Sequence, residues 1–364
     1  MTNAFTLWIA HGTIVDLSLA RIQSLLTSND LSHITWLNRK AHLVADFNST
    51  PMKIEPISPL KKFTYGLQKI RIPELLNIHP ELTGIGVTVG IIDTGIDANH
   101  PDLRGKVKTF RDFTNPSNKN PKDDHGHGSH VAGTIAGGDA SGNANGVAPE
   151  AQLIIAKTFT SSGSSVDENL LKSLQWMADP DENAETNDHP QIISNSWELD
   201  NSPYAELTPA DEPFCVVIAS LSELGVTAVF AAGNNGSTAE TIKTPASCPQ
   251  SVSVGATDKN DQLTDFSSRG PVRWKNQTLI KPEVTAPGKD IDSVDPGGGY
   301  RTRSGTSMAT PHVAGALALM QQANFDLKLN NYVHFLFDSA KDLGTPQKII
   351  CLALVESIFY KLFI

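Results

Sequence analysis

The chain has 364 residues, of which 39% are apolar, 19% charged and 7% aromatic, enough for one sizeable core and too apolar for a disordered chain. A net charge of −10 disfavours nucleic acid or an anionic membrane as the main partner, because both reward a basic face. The 27 glycines and 22 prolines are scattered, which excludes collagen-like and low-complexity readings.

The first 25 residues show no basic stretch followed by an apolar run, so no secretory signal is visible. Apolar runs at 5–9 and 14–17 flank His11-Gly12, residues 19–27 have a helical period, and 36–44 alternate like a strand. Residues 46–62 carry three prolines and little periodicity, the composition of a linker. Short apolar runs then alternate with helical segments. The runs lie at 87–92, 153–156, 192–193 leading to Trp197, 227–231 and 252–254, and the helices are expected at 127–136, 167–178, 213–224 and 307–323. Continuous apolar runs suit strands buried on both faces, and their alternation with helices implies a parallel sheet. The expected fold class is α/β, a three-layer domain of about 250 residues with its site beyond the carboxyl ends of the strands. The apolar stretch 349–364 is interrupted by Glu356 and Lys361 and is short for a membrane span. Of three cysteines, only a Cys215–Cys248 bridge is conceivable, and free buried thiols are the expected state.

Asp93 ends the first strand-like run of this domain and starts the turn Asp93-Thr94-Gly95, a place that suits either a turn carboxylate or a catalytic one. Residues 123–133 read DDHGHGSHVAG, with His127 between glycines just before a helix. His125, His127 and His130 beside Asp123 and Asp124 would also suit a metal hydrolase, but the glycines loosen ligand geometry and no H-E-x-x-H is present, so no metal is expected. Ser307 opens a long helix whose Pro311 is tolerable only near its start. A serine there is usually a cap, yet the N–H groups and helix dipole also favour a nucleophile's developing charge. Asn234 follows the run 227–231 and is either a turn residue or an oxyanion donor. Gly84, Gly86 and Gly90 precede or interrupt a strand rather than follow it, which excludes a dinucleotide loop.

DTGID at 93–97, HPDL at 100–103, HGSHVAGT at 127–134, AAGN at 231–234 and GTSMATPHVAG at 305–315 occur in an order that resembles the subtilisin-like serine proteases, the subtilases of peptidase family S8. FSSRGP at 266–271 and KPEVTAPG at 281–288 lean toward bacterial bacillopeptidase F-like enzymes. The resemblance implies a serine endopeptidase in which Ser307 attacks, His127 transfers the proton, Asp93 orients the imidazole and Asn234 holds the oxyanion. It implies an extended peptide or protein substrate clamped by Gly163, Ser164 and Ser165 on one side and Ser196, Trp197 and Glu198 on the other. Ala231, Ala232 and Gly233 would wall the adjoining pocket. Glu198 departs from the glycine common there; its carboxylate would either obstruct the cleft or favour basic substrate residues.

The same resemblance divides the chain. Residues 1–45 are similar to the latter half of an inhibitory pro-domain, here expected to pack on the catalytic domain as its own partner and to inhibit poorly. Residues 46–64 form a linker with the maturation cleavage, 65–346 the catalytic domain, and 347–364 an atypical apolar tail. Such a tail would follow from a truncated or frameshifted gene, so a catalytically impaired subtilase remnant is the alternative. No cofactor is required for the chemistry; the resemblance leaves structural calcium possible but not indicated, because the loop after the histidine helix, where some relatives place a site, is only GGDASGNANGVAP. The family implies secretion, and neither nucleic acid nor a membrane span is expected.

Overall fold

The computed structural model of the chain describes residues 4–10, 12–15, 39–44, 47–51, 62–199, 212–325, 335–338, 340–342 and 348–349. Near the start, β1 (Ala4–Leu7) and β2 (Gly12–Val15) form an antiparallel hairpin, and the helix expected over 19–27 lies outside the described residues. Next come β3 (Lys40–Leu43) and β4 (Phe47–Pro51), each built into a different three-stranded sheet with distant parts of the chain. Residues 46–62, expected to form a linker, therefore contribute a strand. Pro51 is compatible with it because β4 is an edge strand, where a missing N–H costs least, and Pro51 is its last residue.

Two short helices, α1 (Tyr65–Lys69) and α2 (Ile72–Ile78), lead into the main domain. Its first half comprises β5 (Thr88–Asp93), β6 (Val107–Asp112), α3 (His127–Ala136), β7 (Gln152–Lys157), β8 (Ser164–Val166), α4 (Asp167–Ala178), β9 (Ile192–Asn195) and β10 (Trp197–Leu199). Its second half comprises α5 (Pro213–Glu223), β11 (Thr227–Ala231), β12 (Val252–Thr257), β13 (Val284–Pro287), β14 (Ile291–Asp295), β15 (Gly299–Ser304), α6 (Thr306–Ala323), β16 (Lys341–Asp342) and β17 (Lys348–Ile349).

The principal sheet has nine strands in the order β16-β17-β13-β12-β11-β9-β5-β7-β6, all parallel except the β16–β17 pair. Successive residues of each strand feed opposite cores, as the two-residue period of a strand requires. Val89, Ile91, Leu153 and Ile155 join α3 and α6 in one core, whereas Ile92, Ile154, Ile193 and Phe230 join α4 and α5 in the other. This is the three-layer α/β arrangement expected from the sequence. The strand β6 escapes notice in the sequence because it lies at the sheet edge, half buried, with lysine and arginine interrupting its apolar residues. At the opposite edge, β17 draws Lys348 and Ile349 of the apolar tail into the sheet beside β13; residues 350–364 lie outside the described residues.

Cys215 on α5 and Cys248, ahead of β12, form a disulfide across 33 positions, contrary to the expectation of free thiols. The fold brings both into the core beneath α5, with Cα atoms 5.2 Å apart. Among the described residues no helix is long and apolar enough to cross a membrane.

Candidate active site

In the sheet order, β5 lies between β7 on one side and β9 on the other, so the chain switches direction at the strand that ends in Asp93. Such a switch point leaves a crevice at the carboxyl ends of the strands. Asp93 is fully buried there, and its two carboxylate oxygens lie 2.8 and 2.9 Å from His127 Nδ1 at the start of α3. The Thr94 N–H donates to Asp93 Oδ1 (2.7 Å), fixing the carboxylate before it meets the imidazole. Gly128 lets α3 approach this turn, since a Cβ there would strike the Gly95 carbonyl. Asp123 holds the loop before α3 by accepting from the N–H groups of His125, Gly126 and Ser129 and from the Ser129 hydroxyl. Its burial would raise its pKa, but these donors outweigh burial and keep the carboxyl below its ordinary range.

Ser307 is the second residue of α6, and Pro311 lies one turn further on. Proline has no N–H to return to the carbonyl four residues earlier, which is that of Ser307. The Ser196 hydroxyl takes that place, donating to the Ser307 carbonyl at 3.0 Å, so the helix end is tied to the loop between β9 and β10. The Ser307 hydroxyl points at two main-chain carbonyls, those of Val44 (3.1 Å) and Ser196 (3.2 Å). Asp93 and His127 are thus brought together, while the Ser307 Oγ is engaged by the chain's own N-terminal segment. Asn234 is tied to the same helix end: its Oδ1 accepts from the Thr306 N–H and hydroxyl, both 3.0 Å, which turns its NH2 group away from Thr306.

That N-terminal segment lies where a substrate strand was expected. β3 is antiparallel to β8 on one side and to β10 on the other, with His42 opposite both Ser164 and Glu198. The Leu43 N–H donates to the Gly163 carbonyl (3.1 Å) and the Val44 N–H to the Ser196 carbonyl (3.3 Å). The hydroxyls of Ser164 and Ser165 are spent within their own loop and on the Thr158 carbonyl, so this stretch meets β3 through its backbone. Trp197 likewise offers its backbone; its ring is fully buried against Phe159, Phe214 and Phe230.

Glu198 does not block the strand. Its carboxylate accepts from His42 Nε2 (3.1 Å), Asn235 Nδ2 (2.9 Å) and Lys243 Nζ (3.3 Å). Burial would raise its pKa, but the His42 and Asn235 hydrogen bonds and the Lys243 charge hold it below the usual carboxylate range. Ala231, Ala232 and Gly233 follow at the end of β11; Gly233 has φ +105°, and a Cβ there would come within 2.6 Å of the Glu198 carboxylate.

The three neighbouring histidines diverge. His130 Nε2 faces the carbonyls of Ile291 and Arg301, and His127 is bound to Asp93. His125 lies beside the His127 ring, and burial together with that neighbour lowers its pKa. The residues that sequence reasoning missed are those that dock the segment: Arg39, His42 and Val44 on it, and Asp167 and Glu212 of the main domain, which accept from Arg39. A strand-like alternation at 36–44 is the only local signal of the first three.

Residues 84–349 match the model of the Subtilase family (Peptidase_S8). The chain is 37% identical over 287 residues to "Bacillopeptidase F" of Bacillus subtilis (strain 168), covering 71% of this chain and 19% of that protein. It is 37% identical over 278 residues to "Serine protease AprX" of the same organism, covering 70% and 61%. With "Subtilisin E", also from that organism, it shares 38% identity over 260 residues, covering 70% and 60%. The chain therefore spans between a fifth and three-fifths of the length of these relatives. With the family model matching most of its length and the signature segments gathered round one crevice, this chain belongs to the subtilase family.

Proposed function

We propose that the chain is a serine endopeptidase. Ser307 Oγ attacks the scissile carbonyl as His127 Nε2 takes its proton; the acyl-enzyme forms when the C–N bond breaks and the same proton passes to the leaving amine. Water then repeats the sequence to release the acid. Asp93 keeps the Nδ1 proton of His127 facing inward and stabilises the imidazolium. The Asn234 NH2 and the Ser307 N–H bind the developing oxyanion. No cofactor takes part. The substrate is an extended polypeptide that pairs with residues 163–165 and 196–198 and has the side chain before the cleaved bond against Ala231, Ala232 and Gly233.

The observation that carries this reading is that the Ser307 hydroxyl donates to the Val44 carbonyl oxygen of an extended strand, which lays the bond after Val44 against Ser307, while Asp93 and His127 form a buried pair. The strand belongs to the chain itself, so the 1–45 unit, up to Val44, acts as its pro-segment. The maturation cleavage is read at the bond after Val44, just ahead of the 46–64 stretch proposed from sequence. The Cys215–Cys248 disulfide supports secretion into an oxidising compartment.

Casein zymography of the wild type and Ser307→Ala tests the activity. A cleared band for the wild type alone, abolished by a phenylmethylsulfonyl-type reagent and untouched by chelator, is the expected result. Sensitivity to chelator alone would point to a metal hydrolase. Equal blankness of both proteins would point to a silent remnant.

A further inference from the structure

At the far end of the strand that fills the cleft, Arg39 reaches two carboxylates of the main domain. Its Nη1 and Nη2 donate to the two oxygens of Glu212 at 2.8 and 2.7 Å, and its Nε donates to Asp167 Oδ2 at 2.8 Å. The Asp167 N–H in turn donates to the Arg39 carbonyl (3.1 Å), and the guanidinium lies 5.8 Å from the Phe214 ring centroid. A planar fork with several donors fits this arrangement; an ammonium cannot make the same parallel pair.

The two acids stand on different elements, Asp167 at the first residue of α4 and Glu212 at the residue before α5. Their side chains are only 10% and 9% exposed. Burial pushes the Asp167 carboxyl up to about 6, and Glu212 adds to that, although the Arg39 charge pulls it down. Two adjacent buried carboxylates are costly without a cation between them. Here the cation comes from the segment that leaves once the bond after Val44 is cut. The acids remain with the enzyme.

Counting back from Val44 as the first residue before the bond, Arg39 is the sixth and His42, which meets Glu198, is the third. We infer that Asp167 and Glu212 form an arginine receptor for polypeptide lying in the cleft, selecting arginine at the sixth residue before the cleaved bond. For substrates this inference rests on the proteolytic reading above. Main-chain pairing with β8 and β10 accepts any sequence; the receptor adds a choice six residues from the chemistry.

Two measurements test it. In the first, the full chain is allowed to process itself and is then given a fluorogenic peptide that begins Arg-Lys-Ala-His-Leu-Val and continues past the bond. A second peptide carries citrulline, which has the same shape without the charge, in place of the arginine. The arginine peptide should have the higher kcat/KM by about tenfold, the scale of a charge-assisted hydrogen-bond pair. Asp167→Asn with Glu212→Gln should remove most of that ratio. Equal kcat/KM for the two peptides with the wild type overturns the receptor while leaving the protease intact, and that comparison needs no variant.

The second measurement does not depend on catalysis. In the full-length Ser307→Ala protein, amide hydrogen exchange of residues 40–44 should accelerate about tenfold on Arg39→Gln and less on Arg39→Lys. Unchanged exchange in both overturns the receptor. Accelerated exchange in a protein whose wild type cuts neither peptide upholds the receptor and overturns the protease.

Discussion

The Ser307 hydroxyl stands 3.1 Å from the Val44 carbonyl, although the two residues are 263 positions apart in the chain. If the bond after Val44 is the one that Ser307 attacks, the purified wild type should lose its first 44 residues and begin at Ala45, whereas Ser307→Ala should keep its full mass of 39.1 kDa. Intact-mass spectrometry with N-terminal sequencing checks both. A first cut elsewhere, made equally by the Ser307→Ala protein, would show an outside protease at work.

On the proposed mechanism Asp93 and Asn234 stabilise opposite charges that develop in the same step, and their losses should differ in size. Asp93→Asn presents an amide to His127 and favours the wrong tautomer, lowering kcat by about ten-thousand-fold. Asn234→Ala removes one oxyanion donor and should cost about a hundred- to thousand-fold in kcat with little change in KM. Steady-state kinetics on a peptide ester and amide separate the two losses.

Glu198 should steer the third residue before the cleaved bond. The His42 side chain facing it is 37% exposed, so solvent screens the pair and the preference for a basic or imidazole side chain should be modest, roughly three- to tenfold in kcat/KM. Glu198→Gln should flatten that preference in a peptide series varied at this residue alone. A ratio unchanged by the substitution would mean that Lys243 and Asn235 already neutralise the carboxylate.

His312 sets an acid limit on stability. It is wholly buried in α6 with Nδ1 2.8 Å from the Met308 carbonyl, and burial lowers its pKa from 6.5 to about 4. Below about pH 6.5 the unfolded imidazole takes a proton that the folded one refuses, so stability is full above that value. It falls on acidification until the folded group also protonates near pH 4. The loss across this window is of the order of 3 kcal/mol. His312→Gln should shallow the decline between those values in denaturant melts of the Ser307→Ala protein, which cannot digest itself.

Reducing the Cys215–Cys248 disulfide should lower stability by about 4 kcal/mol, the scale expected for closing a loop of 33 positions. A shifted denaturation midpoint of the Cys215→Ala, Cys248→Ala double variant, compared with the oxidised protein, checks it. Coincident midpoints would show that the bridge adds nothing to the core around it.

The helices α3 and α4 fall where their periodicity predicts because their signals are local: glycines on either side of His127, acids in the first turn of α4. Asp93, His127 and Ser307 are readable for the same reason, each lying in a short run of restricted residue types. What fills the cleft is not local. The meaning of Arg39 depends on Asp167 and Glu212, 128 and 173 positions away, and neither acid differs in sequence from an ordinary residue at a helix start. The disulfide is not legible in the sequence, because the spacing of Cys215 and Cys248 says nothing of their proximity. The direction of the Ser307 hydroxyl is set by Val44 and Ser196, so no pattern around Ser307 could have shown it.

Were the proposed cleavage to release β3, β8 and β10 would be left as two unpaired edges facing each other across roughly 9–10 Å, twice the normal strand spacing. Exposed edges ordinarily invite sheets to stack and precipitate. A gap of that width is wide enough for one ribbon and too narrow for a folded sheet, so on the proteolytic reading the hazard that burdens other open edges would become a sieve that asks any polypeptide to unravel before it enters.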